Sequence, residues 1–185
     1  SPILLTAFNY GRADVTGVEF SGTYDSGPLS LYGNLTISRA IGRDIVSAQF
    51  NFSQADLDYI SSHWIKQDHD QRFTASAGAA YTLMQGQPTP LRLAADLLVG
   101  SGLRASSSSI PNGRELGGYY TINLSAVQKL DPSVLGGRGR GTELRLDVIN
   151  LLDRKYVLRD GSGLGVGNPQ FGLRRAILAG VSQKF

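Results

Sequence analysis

Apolar and polar side chains alternate with a period of two over most of this chain, and the alternation predicts seven strands. From Phe8 onward the even positions Phe8, Tyr10, Val18, Phe20 and Tyr24 are large and apolar, whereas Gly17, Glu19, Ser21 and Thr23 lie between them. A second strand sets Leu29, Leu31, Leu35 and Ile37 against Ser30, Tyr32, Asn34, Thr36 and Ser38. Phe73 to Leu83, Leu91 to Val99, Tyr119 to Leu130 and Glu143 to Val148 follow the same rule. The seventh strand runs to the last residue, with Ile177, Ala179, Val181 and Phe185 on one side and Gly180, Ser182 and Lys184 on the other.

The connections between these strands alternate strictly between short and long. Asp25-Ser26-Gly27-Pro28, residues 85–90 and residues 131–141 are short turns; residues 42–70, 101–118 and 153–174 are long loops. A strand of about ten residues is long enough to cross a bilayer when tilted, and membrane barrels keep short turns on one side and long loops on the other. A soluble meander has no reason to sort its loops. Glu19, Asp96, Arg145 and Asp147 also sit in mid-strand on the polar side, where a dry sandwich core would reject them and a wet or protein-filled lumen accepts them. Inside the first long loop, Ser53-Gln-Ala-Asp56 reads as a capping box, and Leu57, Ile60 and Trp64 recur at helical spacing, which predicts a short amphipathic helix. The expected fold class is therefore all-β: an antiparallel, up-and-down transmembrane β-barrel segment occupying residues 1–185.

Composition narrows the function. No run approaches the roughly 18 apolar residues of a membrane helix, so only strands could span a membrane. The chain has no Cys, hence no disulfide framework, thiolate ligand or Cys nucleophile, and its net charge of +3 is too small to argue for nucleic acid. Gly161 to Gly167 superficially suggests a nucleotide loop, but no Lys-Ser/Thr follows and Asn168-Pro169 breaks the helix such a loop needs, so it reads as a flexible surface loop. His63 with Asp68-His69-Asp70 reads as solvated polar surface rather than a metal site. No Ser/His/acid trio or carboxylate pair stands out by spacing, so neither catalytic residues nor a cofactor are expected and the chain does not read as an enzyme.

Ala13-Asp-Val-Thr-Gly-Val-Glu19, the Asp25-Ser-Gly-Pro-Leu29 turn, Asn150-Leu-Leu-Asp-Arg-Lys-Tyr156 and the terminal Phe185 together resemble the carboxyl-terminal part of TonB-dependent outer-membrane receptors. The resemblance covers nearly the whole chain from Phe8. It implies a 22-stranded barrel in the bacterial outer membrane, closed around an amino-terminal plug, which imports ferric siderophores, cobalamin or similar scarce solutes with energy passed on by TonB. The partners it implies are outer-membrane lipid and lipopolysaccharide, the TonB system acting through the plug, a small-molecule ligand, and the barrel-assembly machinery, which would read Phe185 as its signal. The chain departs from the family pattern in having neither plug nor energy-coupling box, and in placing Gln183 where the terminal signal has an apolar or aromatic residue. It is accordingly expected to be a portion of a barrel, an open sheet with two unpaired edges when alone. A passive porin-like barrel or an autotransporter translocator is the alternative reading.

The family orientation places Phe185 at the periplasmic rim and the three long loops outside the cell. The last of them carries Arg154, Lys155, Arg159, Arg174 and Arg175 against Asp153 and Asp160, a surplus of three positive charges. Two readings of that surplus stay open. Arg159, Arg174 and Arg175 are candidate ligand-binding residues that would draw in an anionic solute; alternatively, the basic side chains hold lipopolysaccharide phosphates, since Arg154 and Lys155 follow directly on a strand end.

Overall fold

The computed structural model describes residues 7–131, 133 and 141–183. The chain is all-β, and its main sheet joins seven long strands in the order of the sequence, each antiparallel to the next. In chain order these are β1 (Tyr10–Ser26), β2 (Leu29–Ile45), β4 (Phe73–Leu83), β5 (Leu91–Gly100), β8 (Tyr119–Lys129), β9 (Glu143–Ile149) and β12 (Ala176–Ser182). A two-residue strand, β3 (Ile65–Lys66), pairs with the upper part of β2. Among the described residues β1 and β12 pair with one neighbour each, so the sheet is open, as the strand count predicted.

The pairing register turns the alternation along each strand into two continuous faces. One rung runs Tyr24, Leu31, Ala79, Ala95, Leu124, Val148 and Ile177 across all seven strands, and every member is apolar or aromatic. The adjacent rung runs Asp25, Ser30, Ala80, Ala94, Ser125, Asp147 and Leu178. Directly opposed residues project to the same side of a sheet, so one face is apolar from edge to edge and the other is mixed and polar. Gln128 interrupts the apolar face, and Val15, Leu98 and Leu178 fall on the polar one.

The apolar face is not the folded core. Phe20 is 61% exposed and Val181 73% exposed, and Leu93, Leu97, Leu124, Leu144, Leu146 and Ile177 are exposed with them. The buried cluster lies elsewhere, where Ile45 at the upper end of β2 packs with Ile60, Ile65 and Leu164.

Two predicted boundaries move. β2 continues seven residues past Ser38 to Ile45, because its upper part finds partners on both sides, the start of β1 and β3. β1 likewise begins at Tyr10 and ends at Ser26, where Gly27 takes φ 54° to close the turn to Leu29. Most of the 131–141 turn and the terminal Phe185 lie outside the described residues.

One close contact on the polar face has a testable cost. The Tyr32 ring crosses β4 above Gly78, and its hydroxyl donates a 2.7 Å hydrogen bond to Asp96 Oδ1 two strands away. A Cβ at position 78 would lie 2.2 Å from Tyr32 Cε1 and 2.6 Å from Asp96 Oδ1. Gly78→Ala is therefore expected to displace the ring, break the bridge and destabilise the sheet by about 1–3 kcal/mol in urea unfolding. A wild-type midpoint in the variant would show that the ring does not rest there.

Candidate functional site

The three long connections do not hang separately from the sheet; they fold onto one another as a cap at one end. The first forms α1 (Gln54–Ser62), whose Ser53 Oγ accepts a 3.1 Å bond from the Asp56 amide as its N-cap, and whose Ile60 is fully buried among Ile45, Ile65 and Leu164. The helix was predicted from that capping box. The second connection supplies the ribbon of β6 (Arg104–Ala105) and β7 (Arg114–Glu115), and the third that of β10 (Val157–Asp160) and β11 (Pro169–Phe171). Residues 161–167 depart from the flexible surface loop the sequence predicted. Leu164 and Val166 are buried, and the Leu164 amide donates to Asn112 Oδ1 at 2.8 Å. Glycine spacing gives no signal for this, because the anchor comes from a different loop.

Three buried polar side chains hold the cap together. Asn112, with no exposed surface, accepts from Leu164 of the third connection and donates through Nδ2 to the Lys66 carbonyl of the first at 2.9 Å. Asp70, 2% exposed, accepts from the Ala40 amide at 2.5 Å through Oδ1. Its Oδ2 receives Arg104 Nη2 at 2.9 Å and Lys66 Nζ at 3.3 Å. Asn150, in the left-handed region at φ 49°, donates to the carbonyls of Arg154 and Leu173 at 2.9 and 2.8 Å and accepts from the Arg154 amide at 3.0 Å. A buried charge or amide of this kind is stable only when its bonds are satisfied; Asn112 and Asp70 find theirs between connections, and Asn150 finds its own across the two ends of the third.

The basic residues singled out by sequence fall into this network. Arg159 Nη2 pairs with Asp68 Oδ2 of the first connection at 3.1 Å, and its Nη1 donates to Gln170 Oε1 at 3.0 Å. Arg174 grips Asp153 through both Nε, at 2.7 Å, and Nη2. The Arg175 amide donates to the same carboxylate at 3.0 Å, while its guanidinium makes no ion pair among the described residues. Arg159 and Arg174 are thus each matched by a carboxylate, one of which the sequence surplus left out because it sits 91 residues away. Arg154 lies over the Tyr120 ring, 4.0 Å from its centroid, and Tyr120 is an apolar-face residue opposite Val99. His63 stacks on Tyr59 at 4.3 Å, and the Asp68 and Asp70 carboxylates are taken by arginines.

Arg174 and the backbone of Arg175 hold the Asp153 carboxyl well below the usual carboxylate range. A depressed folded value means that the stabilisation is complete at neutral pH, above the unfolded value, and is lost only as pH falls through the folded one. Asp153→Asn is therefore expected to loosen residues 153–174 at pH 7, read as faster proteolysis there, whereas the parent loosens only below about pH 3. Equal rates in both at pH 7 would contradict the assigned pairing.

No protein-family model matches this chain, and no curated protein is similar to it.

Proposed function

We propose that this chain is the carboxyl-terminal wall of the barrel of a TonB-dependent outer-membrane receptor, with its apolar face toward lipid and its cap outside the cell. The observation that carries the reading is the exposed apolar rung that crosses all seven strands, with Tyr24 at one edge and Ile177 at the other. A contiguous patch of that size on a soluble protein would drive aggregation, whereas it fits a sheet whose solvent on that side is hydrocarbon. The mixed face, with Tyr32 bonded to Asp96 and Arg145 Nε bonded to Asp147 Oδ2 at 2.6 Å, fits a wet or protein-filled lumen. The long connections gathered at one end and the Asn150 segment that pins the last of them support the receptor over a passive barrel, because they make a built platform outside the membrane.

The test is uptake in the bacterium that makes the protein. The receptor reading predicts that the protein fractionates with the outer membrane and that solute uptake through it stops when TonB is inactivated. Uptake indifferent to TonB would assign it to the passive porin or autotransporter class instead.

The ligand class follows from the charges left over in the last connection. Arg159 and Arg174 are matched by Asp68 and Asp153, so the positive field there comes from Lys155, Arg175 and Arg154, which make no ion pair among the described residues, Arg154 resting on the Tyr120 ring. An anionic solute is the ligand such a field concentrates. Lys155→Gln with Arg175→Gln is expected to slow its uptake several-fold at low ionic strength and less at high. Unchanged uptake with altered detergent sensitivity would assign these side chains to lipopolysaccharide.

A further inference from the structure

The glycine-rich run 161–167 forms one wall of a hollow of about 370 Å³ within the cap, the size of a small-ligand site. The facing wall is the segment that leads into α1, with Asn51, Phe52, Ser53 and Asp56, and Ser106 of the second connection joins them. The lining narrows what the hollow can hold. No cationic residue borders it among the described residues, so an anion finds no counter-charge. Asp56 is its one carboxylate, whereas a hard metal ion needs about six oxygen ligands. What the walls do offer is unused hydrogen bonding without a fixed counter-ion. Asp56 Oδ2 accepts from Ser53 Oγ at 2.6 Å, but Oδ1 and the Asn51 amide make no hydrogen bond among the described residues. Ser106 Oγ accepts from the Asn112 amide at 3.1 Å and keeps its own proton to donate. Glycine at 161, 163, 165 and 167 leaves the opposite backbone bare, so a ligand can come close to its amides and carbonyls. Phe52, partly buried and edge-on to Phe8 at 4.9 Å, adds a single aromatic ring beside these polar groups.

We propose that this hollow binds a neutral saccharide, with Asp56 and Asn51 bonded to adjacent hydroxyls and the Phe52 ring against the C–H face of the sugar. A sugar ring carries donor-acceptor hydroxyls on neighbouring carbons and an apolar face across the ring, and it brings no charge that the lining would have to neutralise. The carboxylate supplies a strong acceptor, the asparagine amide both a donor and an acceptor, and the bare backbone room for the ring. The saccharide is a second ligand, apart from the anionic solute proposed above, and neither the hollow nor its lining depends on the membrane reading.

The experiment uses the full chain in micelles of lauryldimethylamine oxide, a detergent without sugar, and saturation-transfer NMR with the methyl glycosides of glucose, galactose and mannose. At least one glycoside is expected to receive saturation from the protein and to titrate with a millimolar dissociation constant. Asp56→Asn keeps the shape and an acceptor for Ser53, and should weaken binding about tenfold; adding Asn51→Ala should abolish it. Asp58→Asn removes an acid from the same helix outside the hollow and should bind as the parent does. Unchanged far-ultraviolet dichroism confirms that a loss is local. Tighter binding of the lipid-free polysaccharide cut from the producing cell's lipopolysaccharide would identify the cell's own envelope as the source of the sugar; equal or weaker binding would identify a free saccharide. No saturation of any of these sugars at roughly tens of millimolar, or equal binding by the parent and the double variant, would overturn the proposal. Sugar binding by a protein that does not fractionate with the outer membrane would sink the membrane reading and leave the site standing.

Discussion

Arginine at position 95 is expected to destabilise the protein in a bilayer by about 2–4 kcal/mol, whereas arginine at position 94 is expected to cost less than about 1 kcal/mol. The two residues are neighbours on β5, identical in type, and differ in the rung to which they belong. Ala95 lies between Ala79 and Leu124 on the apolar face; Ala94 lies between Ala80 and Ser125 on the mixed face, near Arg92, Asp96 and Arg145. A guanidinium at 95 would enter hydrocarbon near mid-depth, with no partner for its donors. At 94 it would join a face that already carries charge. Urea titration after refolding into lipid vesicles reads both, and equal costs would mean that neither face meets lipid.

Asn150→Ala is the second substitution with a large expected effect, about 3–4 kcal/mol. Its side chain makes three buried hydrogen bonds, so alanine leaves the Arg154 and Leu173 carbonyls and the Arg154 amide without it, at roughly 1 kcal/mol each. Alanine must also adopt φ 49°, which asparagine tolerates better. Because the bonds join the end of β9 to the start of β12, the loss should appear both in the unfolding midpoint and as new protease cleavage within residues 153–174. Asn150→Asp keeps the acceptor but turns a buried carboxylate oxygen toward the Arg154 and Leu173 carbonyls, and should cost at least as much as alanine. A loss under 1 kcal/mol for alanine would show that the connection is held by other contacts.

The strands were legible in the sequence because each carries its own evidence. Period two in Leu91 to Val99 or Leu144 to Val148 is local, and antiparallel pairing of sequence neighbours needs no further information. The helix after Ser53 was legible for the same reason: its cap and its apolar spacing lie within one short segment. The cap as a whole was not. Asp70 and Asn112 appear in sequence as ordinary loop polar residues, and their importance comes from Ala40, Arg104, Lys66 and Leu164, which distant segments bring to them. The partner of Arg159 was not legible along the chain, since Asp68 reaches it only through the fold. The extension of β2 to Ile45 was hidden because beyond Ser38 both faces become covered and the alternation that marks a half-exposed strand disappears.

The central claim is that one face of this sheet meets hydrocarbon and the other does not, and a spin-label scan of β5 tests it most directly. The chain has no cysteine, so single cysteines at positions 92 to 98 give one label each without background. With the protein in lipid bilayers, relaxation by oxygen, which concentrates in lipid, and by a water-soluble nickel complex should alternate with a period of two. Labels at 93, 95 and 97 are predicted to be oxygen-accessible, and labels at 92, 94 and 96 oxygen-protected. Accessibility to the nickel complex at 93, 95 and 97, or the absence of a two-residue period, would contradict the account.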